Sequence, residues 1–447
     1  MGQLLSTVVS SVIAITLTAV LFVAVNKLFD LPLKNFRLFA TIAGAAVGAV
    51  VGLIANSGGW FLGGNLWPLG GAVVGALLGA FLWGRRPPGV PRRRAISEKS
   101  RPAIFLFPAL LFLTLTLVAP TIRTIYLSLR NSAGDEFVGL DNFKSVFTND
   151  SIFNLNGAGD IFTSRLFVLA MILLLAGVGW TILRGVRERT GVDMSGATPV
   201  MSIMVAGFLI VLAALGSLRA VIWNNLYWIV FVVGISTAAG LAIAVLADRA
   251  KGENLAKSLI FMPMAISFVG ASVIWRFVYA FTPAGRDQIG LLNAVWVGLG
   301  GEPQAWIQQL PWNTLFLIAI MIWIQTGFAM VVLSASIKAV PAELNEAARV
   351  DGATAPQIFW RVTIPQIRST ILVVVVTLTI LVLKVYDIVK VMTNGEFGTN
   401  VIANEMYDQA FIARNRGLGS ALAVVLLIAV IPMMVVNARR ARREALG

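Results

Sequence analysis

KAVPAELNEAARVDGATAPQIFWRVTIPQIRS, residues 338–369, is a polar stretch set between two long apolar runs, Trp312 to Lys338 and Thr370 to Val391. It reads as a helix-turn-helix that lies outside a membrane but is inserted between two membrane spans. Pro341 suits a first helical turn, Glu343 complements the positive helix N-terminus, and Gly352 can take the left-handed conformation that stops a helix. A second short helix is expected to begin near Thr354 to Pro356 and to end by Pro365, where the ring and the missing N–H oppose continuation. Leu344, Ala347, Ala348 and Asp351 fall at i, i+3, i+4 and i+7. They form a mostly small, apolar face opposite Glu343, Asn345 and Glu346. Such a face lets another protein approach the backbone closely.

The surrounding composition says what the solvent is. The chain has 447 residues, 58% hydrophobic and 13% charged, with a mean hydropathy of +0.84. These values belong to a polytopic membrane protein. The absence of Cys and His excludes disulfides, thiolate or imidazole metal sites, His-based proton relays and His-dependent catalytic triads. No metal site and no catalytic residue is expected. A net charge of +14 invites a nucleic-acid reading, but the basic residues cluster in short stretches beside apolar spans, where they set membrane orientation. The opening MGQLLSTVVSSVIAITLTAVLFVAVNKLF lacks a basic leading region and a small-residue cleavage site, so it reads as a retained span.

The fold class is therefore all-α, a polytopic membrane protein of about eleven transmembrane helices. Expected spans run Leu4 to Asn26, Phe36 to Ala55, Pro68 to Trp83, Pro102 to Leu127, Leu166 to Leu183, Val200 to Ser217, Asn225 to Ala247, Leu259 to Phe281, Trp312 to Lys338, Thr370 to Val391 and Leu418 to Val436. Seven basic residues between Arg85 and Arg101 face only Glu98, and Arg439, Arg440, Arg442 and Arg443 face only Glu444. Both stretches are expected in the cytoplasm, and alternation from either end puts 339–369 there too. Residues 1–84 read as a three-span accessory module, 85–101 as a basic cytoplasmic linker and 439–447 as a basic cytoplasmic tail. Gly44, Gly48 and Gly52 repeat every fourth residue, as do Gly71, Gly75 and Gly79. Each set offers a groove for close helix packing.

The EAA tripeptide Glu346-Ala347-Ala348, followed by Asp351-Gly352-Ala353, Phe359-Trp360-Arg361 and Ile364-Pro365, resembles the EAA loop of membrane subunits of ATP-binding-cassette importers, which dock cytoplasmic ATPases through it. Other segments, from FLFPALLFLTLTLVAPTIRTIYLSLR to YDIVKVMTNG and EMYDQAF, are similar to binding-protein-dependent sugar permeases, the maltose and alpha-glucoside type of larger membrane subunit. The resemblance covers 102–438 as a permease core, with a two-span insertion near 151–219 where the family pattern passes directly to the next span. It implies ATPase coupling through Glu346, Ala347, Ala348, Asp351, Gly352, Phe359 and Pro365. It implies a second, smaller permease subunit, two ATPase subunits, an extracytoplasmic solute-binding protein and a sugar or oligosaccharide moved by alternating access across a bacterial or archaeal cytoplasmic membrane. No GxxxxGK[ST] phosphate loop occurs in the chain. ATP and Mg are thus expected on the partner ATPases, with no cofactor on this chain and no nucleic-acid partner.

A polar break, WIQTGFAM at Trp323 to Met330, interrupts the apolar span that leads into the EAA stretch. Gln325 and Thr326 offer hydrogen-bonding groups, Gly327 permits close approach, and Trp323 and Phe328 offer flat faces suited to the C–H side of a sugar ring. By the resemblance, Ile324, Gln325 and Phe328 fall where maltose permeases contact sugar, and Ala271, Leu378 and Val382 match other contact positions. Helix packing is the competing account of each. Lys384 and Asp387, at i and i+3 inside an apolar run, can pair with each other, or Lys384 can line a substrate path. The alternatives in other classes are a permease for a non-sugar solute and an ion-coupled secondary transporter, the latter weakened by the scarcity of membrane Asp and Glu and by the absence of His.

Overall fold

The computed structural model describes residues 41–42, 44–45, 48–49, 52, 66–82, 106, 113–188, 197–248 and 252–446. The span expected at 4–26 and the linker at 85–101 lie outside them. Contacts divide the chain into two units, Met1–Tyr126 and Leu127–Gly447. In the first, α1 (Leu66–Leu82) presents Gly71 and Gly75 to Gly48 and Gly44. A Cβ on Gly48 would meet the carbonyl of Gly71, with the Gly75 Cα only 3.2 Å away. The two glycine repeats thus face each other, backbone against backbone.

The second unit carries a helix for each of the seven spans expected after residue 150. α2 (Arg165–Glu188) and α3 (Ala197–Ser217) form the inserted pair, pinned where Gly177 admits the Ser202 side chain. α3 meets the core at its far end, where the Tyr227 hydroxyl donates to the Ala214 carbonyl at 2.9 Å and Phe208 lies 6.4 Å from Trp312. α4 (Val221–Ala247) packs along α7 (Asn313–Lys338). Gly240 makes this possible, since a Cβ there would fall 2.6 Å from that of Ala329 and 2.8 Å from the Met330 nitrogen.

Two expected spans are broken. In place of one helix over 259–281 stand α5 (Glu253–Ala265) and α6 (Phe268–Val278), bent by 100°. Pro263 sits in a tight terminal turn, Ile266 is extended, and Ser267 caps α6 by accepting the Gly270 N–H at 3.0 Å. The span expected to run to Val391 stops at Leu383. α9 (Ala355–Leu383) gives way at Lys384, and the chain restarts as α10 (Asp387–Met392). The Leu383 carbonyl, released by the break, accepts from the Asn225 side-chain amide at 3.4 Å.

A third correction concerns the loop at 339–369. Its second helix does not end by Pro365 but runs unbroken into the membrane span as α9. A wide π-turn at Phe359–Thr363, in which the Ile364 N–H reaches the Phe359 carbonyl, carries the chain up to Pro365, which sits in the first positions of the regular helix that follows. The last helix, α11 (Arg416–Leu446), likewise extends through the basic tail expected at 439–447. Among the described residues five helices are long and apolar enough to cross a membrane, or six with the bent pair counted as one. Among the described residues no strand occurs beyond one isolated bridge between Arg130 and Phe137. The larger of two apolar clusters among the described residues joins α4, α6, α7, α9 and α10 through Trp228, Ala271, Ile324, Leu378 and Val389.

Candidate functional site

The loop after Lys338 holds a first short helix, α8 (Ala342–Val350), with Pro341 as its N-cap. Gly352 has φ +79°. It closes the helix as a Schellman turn, its N–H on the Arg349 carbonyl at 3.0 Å and the Ala353 N–H on the Ala348 carbonyl at 2.9 Å. Thr354 opens the next helix, its N–H donating to Gln357 Oε1 at 2.8 Å. The stop and the start anticipated from sequence are both present.

The helix presents its faces differently from the expectation. Asn345, expected on the outward polar side, is half-buried together with Ala348, while Glu346, Ala347, Asp351 and Val350, the last 87% exposed, stand free. Phe359 is half-buried and Pro365 exposed. Trp360, 65% exposed, packs edge-on against Phe359 with ring centres 5.2 Å apart. A groove of about 260 Å³ runs behind α8, lined by Val245, Asp248, Asn345, Arg349, Ile358 and Phe359. Of the seven proposed coupling residues, Glu346, Ala347, Asp351 and Gly352 are exposed together on α8 and its closing turn, Ala348 is half-buried beside them, Pro365 is exposed on α9, and Phe359 lines the groove.

Of the sugar-path candidates, Ala271, Ile324, Leu378 and Val382 are sealed in the apolar core, and Phe328 packs against it. Gln325 is 3% exposed, and its amide has no hydrogen-bond partner among the described residues. Gly327 does permit close approach, since a Cβ there would lie 2.7 Å from the Ile260 carbonyl oxygen. Open space lies one turn further along. A cavity of about 290 Å³ is walled by Phe268, Met321, Leu381, Val385, Tyr386 and Ile388, with Lys384 and Asp387 in its lining. Met321 is three residues before Ile324, and Leu381 and Val385 are three residues after Leu378 and Val382. The shift is therefore one helical turn in the same direction on both spans.

Both helix breaks border this cavity, α6 beginning at Phe268 and α9 being followed directly by Lys384. Lys384 and Asp387 do not pair with each other. Each is left without an ion-pair partner among the described residues, whereas the nearby Lys390 binds Asp408 at 3.0 Å. The helix break explains this, because i, i+3 proximity exists only on a continuous helix. The sequence signalled Lys384 and Asp387 as charges inside an apolar run. Phe268, Met321 and Val385 carried no such signal. A charge cluster of Asp248, Glu253, Lys257 and Lys338 beneath the core was also missed, although Asp248, Glu253 and Lys257 stand close together in the sequence.

Residues 236–444 match the model of the binding-protein-dependent transport system inner membrane component family. The chain is 44% identical over 341 residues to an osmoprotective compounds uptake permease protein of Synechocystis, covering 76% of this chain and 99% of the relative. It is also 44% identical to an alpha-glucoside transport system permease protein of Rhizobium meliloti, covering 80% and 87% of the two chains. Its fold matches a bacterial ABC transporter involved in import of the acidic polysaccharide alginate, with a TM-score of 0.51 and 17% identity over 79% of this chain and 99% of that one.

Proposed function

The chain belongs to the binding-protein-dependent transport system inner membrane components and is a membrane permease subunit of an ATP-binding-cassette importer, and we propose that its cargo is a sugar or oligosaccharide. The cavity where two spans break carries this reading. Leu381, Val385, Ile388, Met321 and Phe268 supply apolar walls for the C–H faces of a sugar ring, and Lys384 and Asp387 supply a donor and an acceptor for its hydroxyls. One saccharide unit fits a volume of about 290 Å³. The names of the relatives, one an alpha-glucoside permease, support the same class.

In this reading a solute-binding protein delivers the sugar from outside. A second, smaller permease subunit completes the pathway, and two cytoplasmic ATPase subunits, which hold ATP and Mg, grip α8 and the strip from Glu346 to Gly352. The host membrane is the bacterial or archaeal cytoplasmic one. Gln325, Phe328 and the sealed residues beside them line the path in a state that opens the core one turn inward. A non-sugar solute bearing one charge is the second reading, since it would pair with Lys384 or with Asp387.

Uptake into proteoliposomes containing the assembled importer, measured with maltose, trehalose and sucrose, tests this. A lost hydrogen bond to a charged group is worth about 1.5–3 kcal/mol, so Asp387→Asn and Lys384→Gln are each expected to lower uptake by roughly ten- to a hundred-fold. Gln325→Leu is expected to lower it as well, with ATPase association retained. Normal uptake by all three variants would place the sugar elsewhere.

A further inference from the structure

Beneath the apolar core, one ammonium group holds three helix ends together. Lys257, on the second turn of α5, donates to Glu253 at 2.6 Å and also to Asp248 and to the Ser334 hydroxyl. Asp248 follows the last residue of α4, Glu253 begins α5, and Ser334 lies in the last turns of α7. An ammonium has three protons, and here each has an acceptor on a different part of the fold. Ser334 in turn donates to Asp248 at 2.8 Å, and Lys338, the last residue of α7, binds Glu253. The Lys257 and Asp248 side chains are only 16% and 15% exposed, so water does little to screen the pair.

The cluster stands where movement of the loop must enter the spans. Lys338 is the residue from which the chain passes into α8, and Asp248 lines the groove behind α8 together with Asn345 and Arg349. Asp248 Oδ2 and Asn345 Oδ1 are buried in that groove and have no hydrogen-bond partner among the described residues.

We propose that Lys257 is a positioning residue for transport, fastening the cytoplasmic ends of α4, α5 and α7 into one rigid block so that displacement of α8 moves the three spans together. Nothing in the sugar cavity depends on it. Its removal leaves each span folded but lets α7 shift without α4 and α5, so closure of the ATPases no longer opens the outer side. This role rests on the importer assignment and not on the identity of the cargo.

The test uses the assembled importer in lipid nanodiscs. The chain has no cysteine, so spin labels can be placed on cysteines introduced at the exposed outer positions Leu299 and Phe411. Distances between them are read by pulsed electron resonance before and after trapping with Mg-ATP and vanadate. Wild type is expected to shift its distance distribution on trapping. Lys257→Met is expected to hydrolyse ATP at the wild-type basal rate yet show less than a third of that shift, and Lys257→Arg is expected to restore it. Should Lys257→Met fail to assemble, the charge-balanced triple variant Asp248→Asn, Glu253→Gln, Lys257→Met carries the same expectation. A full wild-type shift in the assembled methionine or triple variant overturns the proposal. Absence of any shift in wild type overturns the importer mechanism at these positions, and the proposal with it.

Discussion

Two glycines in the second unit are held for different physical reasons, and substitutions separate them. At Gly352 an added Cβ would meet nothing within 4 Å, but φ is +79°, so its whole penalty is backbone strain, about 1–2 kcal/mol. At Gly240 the backbone is ordinary helix, but the Cβ would fall 2.6 Å from that of Ala329, so the penalty is a displaced helix. Gly352→Val is therefore expected to insert and melt nearly as wild type while losing ATPase association and uptake. Gly240→Val should lower thermal stability in detergent, with α8 still able to bind. Co-purification with the ATPase and melting curves on both variants check this. Full transport by a well-expressed Gly352→Val chain would remove the coupling role of the turn.

At the scale of elements, what could be read from sequence follows how local the cause is. The long apolar helices of the second unit were legible because crossing lipid requires long apolar runs, and the Schellman turn because Gly352 and its neighbours decide it alone. The break after Leu383 was not, because its carbonyl is satisfied by Asn225, 158 residues away. The cavity was half legible for the same reason: its two charges stood out, and its apolar walls looked like any packed helix. Asn225 also accepts the Ile402 N–H at 2.7 Å through its other amide atom, so one side chain ties α4 to the broken end of α9 and to the start of a later helix. Asn225→Leu leaves both backbone groups buried and unpaired. A cost of about 1–3 kcal/mol for each should appear as a clear fall in melting temperature, together with slower uptake as the edge of the cavity loosens. A melting temperature equal to wild type would show that the break holds itself open without Asn225.

At the scale of the whole molecule, the relative from Synechocystis is matched over 99% of its own length yet accounts for only 76% of this chain. About a quarter of the chain is thus additional to a protein of the same family. The residues ahead of Pro102 are the natural candidate for that addition, since the matched family model lies at 236–444 and the basic stretch at 85–101 separates composition before and after it. Within residues 1–84 the facing glycine repeats Gly44–Gly48 and Gly71–Gly75 show how two of the helices can close on each other by backbone contact. A chain beginning near Arg92 is therefore expected to insert, to assemble with its partners and to retain ATP-dependent uptake, with yield as the main loss. Blue-native electrophoresis of the assembled importer and uptake per assembled complex measure the two separately. Normal insertion with complete loss of assembly would instead make residues 1–91 part of the transport core.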